Sequence, residues 1–246
     1  MPEKSAVALS VILPAKDEAQ NVDAVLEDAF LNLARWTRSF EVIVVNDGSR
    51  DATGKRLAHH QNRRANLKVI NHRITQGYGA ALQSGFAAAR GDLVFFTDCD
   101  GQFRFAELEP LLALIDKEGL DVVLGSRVDR QDPPVRKFYS LIYNRLAAGI
   151  CGIRVRDINC AFKLFRRPAL SAMTFHRQDY LINVEMLAWT ARLGLRWREV
   201  GVRHYPRTAG RSKVRLADSI KTVLGLIKIK NILSKRKTGA MQQDYH

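Results

Sequence analysis

The chain has 246 residues, 46% hydrophobic and 26% charged, and its 39 basic residues against 25 acidic ones give a formal charge of +14. These proportions exclude a disordered chain and allow a sizeable buried core. The positive excess implies anionic partners, for which nucleic acid, anionic lipid and phosphorylated small molecules all qualify.

Short apolar runs rich in Val, Ile, Leu and Phe occupy 7–13, 41–46, 67–70, 92–97 and 121–125. Helical patterns fill the gaps at about 19–34, 51–62, 79–90 and 106–117. Such alternation predicts an α/β fold with a mostly parallel central sheet flanked by helices. Farther along, helices are expected near 134–150, 168–174 and 181–193, with extended segments near 159–166 and 196–204. A basic loop at 204–215 precedes an amphipathic helix at about 216–234 and a polar tail. No run reaches the ~18 apolar residues of a membrane span. The apolar run near the N-terminus is too short and too soon interrupted for a signal peptide. Cys99, Cys151 and Cys160 form no C-x-x-C pair, so reduced thiols in a cytoplasmic protein without a zinc site are expected.

Ligands of parallel sheets bind outside the carboxyl ends of the strands. Four of the expected strands end in polar, turn-forming segments: "PAKDE" (14–18), "NDGSRDAT" (46–53), "DCDGQ" (98–102) and "GSR" (125–127). The third is the strongest signal. One aspartate would suffice to cap the helix that follows, but Asp98, Asp100 and Gln102 together form an oxygen-donor set suited to Mg²⁺ or Mn²⁺. Asp47 either ends a turn or accepts hydrogen bonds from a nucleobase or ribose. Gly77 and Gly79 lack Walker or dinucleotide-fingerprint spacing and are expected to allow close approach of backbone to a ligand or to the sheet. Arg127 ends an apolar run and needs an anion, met by a diphosphate or an aspartate. Asp157 is equally a cap or a catalyst. Arg207, Arg211, Ser212 and Lys213, interleaved with Gly210, suit a clamp on phosphate.

In this order, "VILPAKDE", "VIVVNDGSRDAT", "GYGAALQSGFAAARGD", "DCDGQ", "GSR", "DINCAFKLFRR" and "HYPRTAGRSKV" resemble the family 2 glycosyltransferases of the GT-A fold. Within that family they are most similar to the polyprenyl-phosphate sugar synthases, the dolichyl-phosphate mannose synthase-like branch. The resemblance implies a GT-A domain over 1–215, followed by a basic amphipathic helix and tail over 216–246. It assigns Pro14, Glu18, Asp47, Gly79, Asp98, Arg136, Arg207 and Ser212 to the donor, with Glu18 and Asp47 at the nucleoside. Asp98, Asp100 and Gln102 would hold Mg²⁺ or Mn²⁺. Asp100, Arg127, Asp157 and Lys213 would serve the chemistry, and Arg207, Ser212 and Lys213 would close over the diphosphate and the acceptor phosphate. Cys99 stands where the family often has Ala, and Lys16 where it often has Asn.

The implied reaction is inverting transfer of a hexose from a GDP-mannose or UDP-glucose type donor to polyprenyl phosphate. An acceptor phosphate is already an anion and needs no general base, whereas a glycan or glycolipid hydroxyl would need one; Glu185 is the candidate base in that alternative, or else a buried structural carboxylate. Between 211 and 237, nine basic residues against one acidic one flank an apolar stripe. That pattern fits either an anionic membrane surface or packing on the protein's own core. The resemblance places the protein at the cytoplasmic face of a membrane and leaves a place for an integral-membrane partner protein. No nucleic-acid motif is present, and the acids gather at one edge. A non-catalytic nucleotide-sugar-binding protein is the remaining alternative, opposed by the intact acidic set.

Overall fold

The computed structural model describes residues 8–37, 39–128, 145, 147–149, 152, 154–207, 225, 226 and 229. The first half alternates β1 (Leu9–Ala15), α1 (Val22–Trp36), β2 (Phe40–Asp47), α2 (Thr53–Gln61), β3 (Leu67–His72), α3 (Tyr78–Ala88) and β4 (Leu93–Thr97). A 3₁₀ turn, Phe105–Leu108, leads into α4 (Glu109–Lys117), and β5 (Val122–Val128) follows. One continuous helix over 106–117 was the expectation. Pro110 instead sits in the first turn of α4, where its missing N–H costs nothing, and the tighter winding precedes it. The later elements are β6 (Phe162–Arg166), α5 (Arg167–Ser171), α6 (Ile182–Arg192) and β7 (Trp197–Arg203). Most of the expected helices at 134–150 and 216–234 lies outside the described residues.

The seven strands lie in the order β3-β2-β1-β4-β6-β5-β7. All neighbours are parallel except β6, which runs antiparallel to both β4 and β5. The carboxyl ends of β1, β2, β4 and β5 therefore share one edge. Strand order reverses direction between β1 and β4, so a crevice is expected outside the ends of those two strands.

Alternate residues of each strand enter opposite cores. Val11, Leu13, Val42, Val44 and Phe95 pack on α1 through Val22, Leu26, Ala29 and Leu33. Ile12, Ile43, Val45, Val94 and Phe96 pack against α3 and α6 through Leu82, Ile182, Val184 and Met186. Each such buried side chain stabilises the fold by roughly 1.5–3 kcal/mol. Two filled cores hold the sheet rigid beneath the loops of its carboxyl edge.

Candidate active site

The loop after β1 is laced to the loop after β2. Asp17 adopts a left-handed backbone (φ 47°), which Asp tolerates better than most residues. Its amide donates to Ser49 Oγ at 2.9 Å, and its Oδ1 accepts from the Arg50 amide at 2.7 Å. The Glu18 amide donates to Thr53 Oγ1 at 2.8 Å and the Ala19 amide to Asp51 Oδ2 at 3.0 Å. Glu18 itself is 7% exposed and accepts from Asn21 Nδ2 at 2.7 Å. Pro14 is buried in β1 beyond Ile12, where the ladder to β4 has ended, so its missing N–H removes no bond there.

Asp47 closes β2 opposite His72 of β3. Its carboxylate accepts from His72 Nδ1 at 2.8 Å and from the amides of Gln76 (2.8 Å) and Gly77 (2.9 Å). Gly48, at φ +62°, follows; a Cβ there would lie 2.5 Å from the Thr75 nitrogen, so only glycine lets the two loops touch.

Beyond β4, the capping task that a lone aspartate could have served is carried by Asp28 of α1, whose Oδ2 accepts from the Phe105 amide at 2.8 Å. The acidic cluster is thereby released from that duty. Asp98 is pushed up to about 7, first by burial and then by the charge of Asp100, while the Tyr78 hydroxyl and the charges of Lys163 and Arg207 act the other way. Asp100, 6% exposed, accepts the Gln102 amide at 3.0 Å and forms an ion pair with Arg207. The other arm of Arg207 reaches Glu18 Oε1 at 3.5 Å. Gln102 Nε2 donates to the Tyr205 carbonyl at 3.3 Å. One guanidinium thus ties the ends of β1 and β4 across the reversal of the sheet.

Other expected residues have different surroundings. Arg127 donates from Nε (2.6 Å) and Nη2 (2.9 Å) to Asp157, which is 5% exposed. Its anion is therefore Asp157, and the two residues assigned to the chemistry hold each other. The Gly79 amide donates to the Gln178 carbonyl at 2.8 Å, and a Cβ would fall 2.4 Å from the Arg177 carbonyl oxygen. That close approach is to the 177–179 loop, not to the sheet. Glu185 is 1% exposed and accepts from the amides of His176 and Arg177 and from His176 Nδ1, all at 3.0 Å. Arg136, Arg211, Ser212 and Lys213 lie outside the described residues.

Two side chains passed unnoticed in the sequence. Tyr78 is half-buried with its hydroxyl shielded beside Asp98, and that shielding together with the carboxylate raises the hydroxyl well above the ordinary value. Lys163, 1% exposed, donates to the carbonyls of Ile158 (3.2 Å) and Cys160 and to Asn183 Oδ1 (2.9 Å). Burial lowers it to about 8. A lysine between phenylalanines in "AFKLF" was the available signal. The Cys160 thiol is pushed up to about 12 by burial and by Asp157, which makes it a poor nucleophile.

Among the described residues, no group of three or more His, Cys, Asp or Glu could hold a metal ion. The donor set nevertheless fits a hard divalent cation. Such ions are held by one or two carboxylates together with substrate phosphates, and the charge of Asp100 still raises Asp98 although Arg207 pairs with Asp100. A shallow cleft of about 600 Å³, lined by Arg156, Arg196, Trp197, Arg198 and Glu199 among others, opens at the amino end of β7, away from these acids. No described helix is long and apolar enough to cross a membrane.

The model of glycosyl transferase family 2 matches residues 10–174. A dolichyl-phosphate beta-glucosyltransferase of Trichomonas vaginalis is 31% identical over 92% of this chain and 74% of its own length. A dodecaprenyl-phosphate galacturonate synthase of Rhizobium johnstonii is 27% identical over 90% of this chain and 66% of its own. Among solved structures, glucosyl-3-phosphoglycerate synthase of Mycobacterium tuberculosis, in complex with Mn²⁺, UDP and phosphoglyceric acid, superposes with a TM-score of 0.69. It is 22% identical, over 91% of this chain and 78% of that one. With its mostly parallel sheet and its acids at the carboxyl edge, the chain belongs to glycosyl transferase family 2 and is a glycosyltransferase of the GT-A fold.

Proposed function

We propose that this glycosyltransferase moves a hexose from a nucleoside diphosphate sugar to polyprenyl phosphate with the aid of Mg²⁺ or Mn²⁺. One observation carries the reading: Asp98 and Asp100 stand together at the end of β4, and Arg207 spans Asp100 and Glu18. Two acids and a cation at the reversal of the sheet suit a ligand that brings its own diphosphate. The relatives named for transfer to dolichyl and dodecaprenyl phosphate, and the neighbour holding Mn²⁺ and UDP, support it.

Asp98, Asp100 and the carbonyl oxygen of Gln102 would hold the cation. When bound, it would neutralise charge that develops on the departing diphosphate. Glu18 and Asp47 are proposed to contact the nucleoside. Arg207 supplies a fixed positive charge at the carboxyl edge, and Ser212 and Lys213 are proposed to complete the clamp over both phosphates. Such preorganised donors act on the leaving group as its charge grows. The hold of Glu185 on the turn at His176 and Arg177 weakens the case for a hydroxyl acceptor, because that reading needs a general base.

Peripheral attachment to the cytoplasmic face of an anionic membrane, through 216–246, belongs to the same proposal, as does an integral-membrane partner. The test is incubation with labelled nucleotide sugars, polyprenyl phosphate and Mn²⁺. An acid-labile, organic-extractable product is expected. Label found only in an alkali-stable glycoside would transfer the proposal to a hydroxyl acceptor.

A further inference from the structure

Asp47, His72 and Ser84 form a chain of hydrogen bonds at the end of β2. His72 Nδ1 lies 2.8 Å from Asp47 Oδ1, and Nε2 lies 2.9 Å from Ser84 Oγ on α3. The side chains of Asp47 and His72 are only 6% and 7% exposed. An ionised carboxylate can only accept, so Nδ1 carries the proton. In the neutral ring Nε2 is then an acceptor, and Ser84 donates its hydroxyl proton to it. Asp47 thereby fixes the tautomer, Ser84 completes the ring's hydrogen bonding, and His72 fixes the carboxylate.

The constellation resembles a nucleophilic triad, but the flow of hydrogen bonds gives it another use. Both acceptor positions of Oδ1 are filled, one by His72 Nδ1 and one by the Gln76 amide. Oδ2 receives the Gly77 amide, which leaves it a single position. Asp47 is therefore held as an acceptor with one acceptor position left.

This count bears on which base the donor carries. Guanine offers its ring N1–H and its exocyclic amino group side by side, a pair that engages a carboxylate through both oxygens. Uracil offers one ring N–H, at N3, between two carbonyls. Against an Asp47 whose Oδ1 is filled, guanine would bury one N–H without a partner, and a buried unsatisfied donor is costly. Uracil would leave none. We infer that His72 is a positioning residue that restricts Asp47 to one open acceptor and so selects a uridine over a guanosine nucleotide. The inference rests on the proposed function only in placing the nucleoside at Asp47.

The test is calorimetric titration of the full chain with UDP and with GDP in Mn²⁺ buffer, for the native protein and for His72→Ala, His72→Asn and Ser84→Ala. The amide nitrogen of Asn occupies nearly the place of Nδ1 and can donate to Oδ1. Native protein is expected to bind UDP at least about tenfold more tightly than GDP, the scale of one unsatisfied donor. His72→Ala should weaken UDP by about tenfold and narrow the gap, while kcat at saturating donor stays within about twofold, because only uniform binding is lost. His72→Asn should recover most of the preference. Ser84→Ala should lie between the two.

GDP binding as tightly as UDP would overturn the inference. So would a His72→Ala protein that loses thermal stability but keeps its preference. Transfer assays run in parallel separate this inference from the broader reading. Sugar reaching polyprenyl phosphate from a GDP-sugar alone would sink base selection and leave the proposed function standing. A clear UDP preference with no transfer to polyprenyl phosphate would do the reverse.

Discussion

Arg207 Nη2 lies on Asp100 Oδ2 while Nη1 reaches toward Glu18, so the acids that terminate two adjacent strands share one guanidinium. Two carboxylates as close as Asp98 and Asp100 call for a positive charge. Here an arginine does so, and it occupies a carboxylate that a divalent cation would also use. Arg207 and the cation are therefore competitors for Asp100 before the donor arrives, and allies against its diphosphate afterwards. Arg207→Ala is expected to bind Mn²⁺ several-fold more tightly in the absence of nucleotide, because a rival positive charge has gone. Turnover should nevertheless fall by about 10²-fold through loss of a donor to the leaving group. Calorimetric Mn²⁺ titration and initial rates check the two halves separately. Unchanged Mn²⁺ affinity would mean that the guanidinium and the ion do not contend for Asp100.

A pH dependence follows from Asp98. Its carboxyl group ordinarily titrates near 3.8 and is pushed up to about 7. A cation needs the ionised form, so Mn²⁺ affinity is expected to fall by about tenfold per pH unit below about 7 and to level off above it. The effect on stability has the opposite sign. The folded protein holds this proton more tightly than the unfolded chain, so Asp98 stabilises the metal-free fold at low pH and loses that contribution between about pH 4 and about pH 7. Asp98→Asn should flatten this part of the stability profile, which thermal melts across the range would reveal.

The fold was legible because its signals are local. Apolar runs such as "FEVIVVND" and the polar segments that end them are contiguous, and parallel pairing then brings those ends to one edge. The site was legible in its residue types and much less in its pairings. Asp100 meets Arg207 across 107 positions, Arg127 meets Asp157 across 30, and Asp47 meets His72 across 25. No periodicity reports such partners. The antiparallel β6, inserted between β4 and β5, brings Lys163 into the interior, whereas the sequence alone reads 159–166 only as an extended segment.

The Arg127–Asp157 pair calls for a test that separates support from chemistry. Both residues are largely shielded, with side chains 17% and 4% exposed. Asp157→Asn is expected to cost about 3 kcal/mol, because it removes the charge that accepts from both Nε and Nη2 of a shielded guanidinium. The double replacement of Arg127 by Met and Asp157 by Leu should recover most of that stability. Turnover of the double variant, measured at a temperature where it is fully folded, shows whether the pair also serves the reaction. Native turnover would confine it to a scaffold role.

Glu185 discriminates between acceptors. Its carboxylate holds the turn at His176 and Arg177 that precedes α6. Glu185→Gln retains one acceptor oxygen, so a loss of about 1–2 kcal/mol in chemical denaturation is expected. Catalytic rate per folded molecule should stay near native. A general base would instead show a fall of about 10²–10⁴-fold in kcat.

Lys163 tests whether a fully buried cation acts on the site from behind. It is held by three acceptors and lies 5.5 Å over the Phe96 ring, with the charges of Asp157 and Asp98 near enough to oppose part of its desolvation. Burial wins, and the ammonium is lowered from 10.5 to about 8. Between those values the unfolded chain binds the proton more strongly, so the stability contributed by this group rises with pH from about 8 to about 10.5. Lys163→Met keeps the volume and removes both the charge and the donors. The two carbonyls and Asn183 Oδ1 are then orphaned, and a loss of about 2–4 kcal/mol in denaturant unfolding is expected. Asp98 also loses one of the positive charges that favour its ionised form. The midpoint of the Mn²⁺ affinity profile should therefore move to higher pH in Lys163→Met, whereas a lysine that served packing alone would leave that midpoint where it was.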